Sequence, residues 1–200
     1  MNTLKTLLLT AFAAALISGC SEGAKTDPAA ANVPATEIVW EDLMPEGEGE
    51  VLEKLYMDFY EDFDRRMMQN STSLSDAADV PSMIVEGSAD DTMEQIGTYN
   101  VVTDLNGERV RVPGYVVPFD FNADAEHTEF LLVPYFGACL HTPPPPPNQI
   151  IFVTSSAAVK IENIEEPVWL EGTLTTGQFQ SDLGNSAYEL ELSKLEPYEY

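Results

Sequence analysis

Between Gly49 and Asn70 the apolar residues Val51, Leu52, Leu55, Tyr56, Phe59, Phe63 and Met67 recur at spacings of three and four. Glu53, Asp58, Glu61, Asp62 and Asp64 fall mostly on other faces, so the spacing predicts one amphipathic helix of about five turns over about 49–70. Met57, Phe59, Phe63, Met67 and Met68 are expected to pack in the core rather than fill a partner's groove. Residues 70 to 80 are rich in Ser, Thr, Asp and Ala and read as a loop. After about residue 81 the period shortens to that of strands. The candidates are Ile96 to Val102, Arg109 to Val117, Glu129 to Val133, Gln149 to Val153, Val168 to Leu174 and Ser186 to Leu192, each rich in Val, Ile, Tyr or Phe. Asn106-Gly107 offers the positive φ of a tight hairpin between the first two. Pro113 and Pro118 bracket Gly-Tyr-Val-Val, which predicts an edge strand or one broken by bulges. The expected fold is therefore mainly β within the α+β class, a small antiparallel OB-like barrel with one N-terminal amphipathic helix; a small sandwich is the second architecture.

Outside this patterned region the N-terminus has a different character. Lys5 precedes an apolar run from Leu7 to Leu16 that is too short to span a bilayer. The run ends in Leu16-Ile17-Ser18-Gly19-Cys20, which resembles the signal of bacterial lipoproteins, so residues 1–19 are expected to be removed and Cys20 to carry lipid. Residues 20–36 are small, polar and interrupted by proline and read as a flexible tether, and 37–200 as a single β-rich domain. No second segment of spanning length follows, which leaves the lipid as the membrane anchor. Ser21 stands after the Cys, and the same resemblance favours the outer membrane over the inner, with the domain facing the periplasm.

Charge removes several classes of function. Nine Lys plus Arg stand against 34 Asp plus Glu, a formal net charge of −25. Nucleic-acid binding needs a basic face, and the chain's nearest approach to one is the pair Arg65-Arg66. Only His127 and His141 are available for a triad or a multi-histidine metal site.

The chemistry concentrates between Phe130 and Gln149. Pro143, Pro144, Pro145, Pro146 and Pro147 fix φ at five successive steps and form a stiff polyproline rod, expected to be an ordered wall with Asn148 and Gln149 securing its end through backbone hydrogen bonds. Just before it, Cys139 and His141 alternate with Leu140, so an extended chain would project both to one side. Thiolate with imidazole suits zinc or copper better than calcium or magnesium. With Cys20 lipidated, Cys139 is a lone thiol in an oxidising compartment. Three readings stay open: a small buried hydrophobe beside Gly137 and Ala138, a metal ligand, or a reactive thiol. Further ligands would have to come from His127 or from Asp120, Asp124 and Glu126, although the setting of His127 reads first as a solvated acidic loop.

The run from Phe130 to Gln149, with Val-Pro-Gly-Tyr-Val-Val-Pro before it and Pro-Val-Trp-Leu-Glu-Gly-Thr-Leu after it, resembles family 3299 of the domains of unknown function, from Ile38 to the C-terminus. The motif falls on Gly137, Cys139, His141, Pro143 to Pro147, Asn148 and Gln149. The resemblance implies an exported bacterial protein that assists ABC-type transport components in the envelope, with zinc as the implied metal; no His-rich loop of a bulk zinc carrier is present. The expectation is a non-enzymatic, lipid-anchored accessory protein. It either binds zinc or another soft metal through Cys139 and His141, or acts without metal as a module that docks a transport component.

Overall fold

The computed structural model describes residues 34–70, 95–120, 124–138 and 144–199. The predicted signal segment, Cys20, most of the tether, the loop after residue 70 and residues 139–143 lie outside the described residues. Near the start of the described residues Thr36–Glu37 form a short strand, β1, parallel to Val110–Arg111, so Thr36 belongs to the domain rather than the tether. The predicted helix is α1, Glu48–Asn70. The barrel strands are β2 (Arg109–Pro118), β3 (Glu126–Val133), β4 (Ile151–Lys160), β5 (Val168–Phe179) and β6 (Ser186–Pro197).

Their order is β1-β2-β3-β4-β6-β5, and β5 pairs back onto β2, closing a five-stranded barrel that leaves β1 as an added strand. The barrel expectation holds, but not its purely antiparallel form: β4 and β6 run parallel, with Ile151 opposite Tyr188 and Thr154 opposite Glu191. The reason is parity. Five strands in a closed ring cannot alternate direction all the way round, so one neighbouring pair has to be parallel.

Alternation is clear where the strands enclose the core. Along β2 every second residue is buried, and β5 repeats the pattern from Val168 to Leu174. Val110, Val112, Phe130, Leu132, Leu170, Leu174, Tyr188 and Leu190 meet inside and are fully buried. A smaller cluster of Leu131, Val133, Ala138 and Ile150 lies on the other face, packed by Tyr115, Phe119 and Phe152.

Pro113 does not make β2 an edge strand. Residues 109–114 pair with β5, while β1 and then β3 lie on the other flank, at 110–111 and 115–118. Pro113 sits in the gap between those two partners, where its missing N–H takes nothing from the ladder. Its carbonyl accepts a 2.8 Å bond from Trp40 Nε1.

The predicted strand Ile96 to Val102 is absent; the segment is extended but unpaired with any strand. Its polar groups go elsewhere: Val102 N–H donates to the Tyr188 hydroxyl at 2.8 Å and Asn100 N–H to the Thr98 hydroxyl at 3.1 Å. The predicted hairpin is replaced by a 3-10 turn at Thr103–Leu105. Gly107 has the expected positive φ of 83°, but its N–H donates to Leu174 O at 2.7 Å, tying the turn to β5.

Tyr188 links the core to the N-terminal region. Its O–H donates to Leu43 O at 2.8 Å while its oxygen accepts from Val102 N–H. Burial pushes the phenol up from its ordinary pKa. We predict that Tyr188→Phe lowers unfolding free energy by about 1–3 kcal/mol, since two buried backbone groups lose their partner; urea denaturation measures it. Raised pKa means the folded state favours the neutral phenol. That stabilisation is therefore whole below about pH 10 and lost as pH rises above it, and Tyr188→Phe should abolish this part of the alkaline loss.

Candidate functional site

Five prolines remove five backbone donors, so the wall is fixed by its carbonyls and its contact surface. Pro145, Pro146 and Pro147 are buried and Pro144 half-buried. Pro147–Gln149 form a 3-10 turn, which delays the predicted fourth strand from Gln149 to Ile151. Gln95 holds the wall from one side: its Nε2 donates to Pro145 O at 2.8 Å and to Asn185 O at 2.9 Å, while its Oε1 accepts from Asn185 N–H at 2.9 Å. Gly97, with φ 146°, lies against Pro146, where an added Cβ would come within 2.5 Å of the Pro146 Cβ. Only glycine permits that approach. Gln149 Nε2 donates to Trp40 O at 2.9 Å and to Asn148 O at 3.0 Å.

Asn148 is fully buried beside Glu48, which is 3% exposed. The Glu48 carboxylate accepts from the Thr98 hydroxyl, from Asn100 Nδ2 at 2.9 Å and from Asn148 Nδ2 at 3.1 Å. Asn148 Nδ2 also donates to Asn100 O at 3.1 Å. Both Nδ2 hydrogens thus face acceptors, which fixes the amide orientation and leaves Asn148 Oδ1 buried with no partner among the described residues. Glu48 opens α1, where the helix dipole favours a negative charge. Sequence reading assigned Asn148 to the wall's end but gave Glu48, Gln95 and Thr98 no part in it. A Glu at a helix start has no signal of burial, because solvated acids are common there.

His127 departs from the solvated-loop expectation. It lies in β3, 7% exposed, opposite Val159, because its position in the strand turns it inward while Glu126 and Thr128 face out. Its Nδ1 is 3.6 Å from a carboxylate oxygen of exposed Asp120. Asp124 and Glu126 are exposed, and among the described residues no group of three His, Cys, Asp or Glu side chains is gathered as for a metal. Cys139, His141 and Pro143 lie outside the described residues. Their flanks are described: Ala138 is fully buried, after Gly137 with φ 81°, and Pro144 begins the wall.

The family described as "Protein of unknown function (DUF3299)" matches residues 40–197. The chain belongs to this family. A crystal structure of a family protein from Pseudomonas aeruginosa PAO1 is similar, at 29% identity and a TM-score of 0.57 over 84% of this chain and 99% of that one. No curated protein matches the chain. Among the described residues no helix is long and apolar enough to cross a membrane.

Asn148→Ala strips a donor from the Glu48 carboxylate and from Asn100 O. We predict a loss of about 1–3 kcal/mol in urea unfolding, with Gly97→Ala destabilising to a similar extent through its clash with Pro146.

Proposed function

We propose that the chain is a lipid-anchored accessory protein of the envelope, attached through Cys20 and facing the periplasm, in which Cys139 and His141 bind zinc or another soft metal ion for an ABC-type transport system. The observation that supports the metal reading is the fixing of both flanks of the Cys-Leu-His segment. Ala138 sits in an apolar cluster and the proline wall is held by Gln95, Asn148 and Gln149. Two such supports limit the entropy that two ligands lose when they converge on an ion. Soft sulfur and nitrogen donors select the metal class. Proton competition for thiolate and imidazole weakens the site as pH falls. His127, enclosed in β3, is assigned a structural part.

The second reading is a metal-free module that docks a transport component. The buried Pro145 to Pro147 offer it little surface, whereas exposed aromatic residues on α1 favour it.

Zinc titration of the reduced protein at neutral pH decides between them. One tight equivalent is expected, with affinity reduced at least tenfold in both Cys139→Ser and His141→Ala and unchanged in His127→Gln. Binding that ignores the first two variants would return Cys139 and His141 to structural parts.

A further inference from the structure

The core-packing expectation for the helix stripe fails beyond the first turns of α1. Leu52 is buried and Leu55, Tyr56 and Phe59 are half-buried, but Tyr60 and Phe63 are 52% and 42% exposed, and Met57 and Met68 are more open still. Closure of the barrel explains this: strand side chains and Tyr188 fill the interior, and no space remains for a long helix face. The exposed rings are ordered against one another. Phe59 stacks on Phe63 at 6.3 Å between centroids and meets Tyr60 edge-on at 5.5 Å. Burial first, and then the Tyr135 and Tyr60 phenols, push the Tyr56 phenol up from its ordinary pKa, and Tyr135 and Phe136 are exposed as well, the Phe136 ring 6.1 Å from Tyr115.

Charge identifies what fits there. At 100° per residue, Glu53 and Asp64 border the stripe on one side and Asp58 on the other, while Asp62 is held by Arg65 at 2.9 Å, Lys54 lies behind, and the position of Arg66 falls on the stripe's own side. A second copy would bring an identical acid-bordered stripe. Residues 71–94, which follow the helix, contain Asp76, Asp79, Glu86, Asp90, Asp91 and Glu94 with no Lys or Arg. The whole chain carries −25, so neither occupant from this protein is complementary.

We propose that the aromatic stripe of α1, with Tyr135 and Phe136, docks a basic amphipathic helix of another protein, whose apolar face meets Phe59, Tyr60 and Phe63 while its flanking Lys or Arg residues meet the bordering carboxylates. Helix-face recognition uses anchors at this spacing, aromatic side chains are the residues that most often dominate such contacts, and the charged borders set orientation and encounter rate. The inference does not rest on metal binding, since Cys139 and His141 have no part in it.

The test uses the intact protein and a labelled synthetic helix with a leucine face bordered by lysines, followed by fluorescence anisotropy. Controls are the same helix with glutamates for lysines and a scrambled peptide of the same composition. The lysine helix is expected to bind, at least tenfold more tightly than either control, to weaken at least fivefold between 50 and 500 mM salt, and to lose at least tenfold in affinity with Phe63→Asp or Tyr60→Asp. Both side chains are exposed, so the variants should keep the wild-type circular dichroism and urea midpoint. Equal binding to wild type and the variants, or to the scrambled peptide, would show mere charge attraction and overturn the proposal. A wild-type dimer that Phe63→Asp dissociates would assign the stripe to a second copy, and binding seen only after proteolytic cutting within residues 71–94 would assign it to that segment. Either result also overturns the proposal.

Discussion

The buried carboxylate of Glu48 ties three distant pieces of chain together. It stands at the first residue of α1 and takes hydrogen bonds from Thr98 and Asn100 in the extended segment and from Asn148 after the prolines. Taking a carboxylate out of water is unfavourable unless its oxygens are satisfied, so any displacement of these partners carries a penalty. Gly97 and Gln95, on the same extended segment, then hold the proline wall against the barrel. The helix start, the unpaired segment and the Pro147–Gln149 turn are positioned as one unit.

The barrel supplies a rigid base for this unit. Closure leaves β2, β3, β4, β5 and β6 each with neighbours on both sides, so the structure does not depend on a covered edge. Cations are few, and Arg109 and Arg111 serve the barrel surface: Arg109 pairs with Glu171, and Arg111 bonds Glu37 at 3.0 Å while lying 3.9 Å from the Trp169 ring centroid. On the β4–β6 surface a shallow groove is lined by Thr154, Ser155, Thr175, Glu189 and Glu191. Its chemistry is hydroxyl and carboxylate, which suits neither phosphate nor an acidic partner. No residue of α1 lines this groove.

Much of the architecture was legible because it rests on local periodicity. The spacing of Leu52, Leu55, Tyr56 and Phe59 specified α1 to within a residue of its start, and five of the six candidate strands are strands. The parallel pairing of β4 and β6 was not legible, because six candidate strands could alternate direction all the way round; only the absence of Ile96 to Val102 from the ring leaves the odd number that forces one parallel pair. Ile96 to Val102 misled because its strand-like composition serves individual contacts, with Gly97 against Pro146 and Val102 against Tyr188, and composition does not distinguish a ladder partner from a side-chain partner.

Sequence by itself determined the helix, the strand positions, the family and the stiffness of the proline run, because each follows from backbone preference or from a short pattern read along the chain. Tertiary structure decided which polar residues are interior and which apolar ones are not. Glu48 and His127 are enclosed while Tyr60 and Phe63 are open, outcomes set by how much space remains once the barrel has closed and by partners far away in sequence. A helical stripe records which side of α1 is apolar; only the packed molecule determines how much of that side finds a surface to cover it.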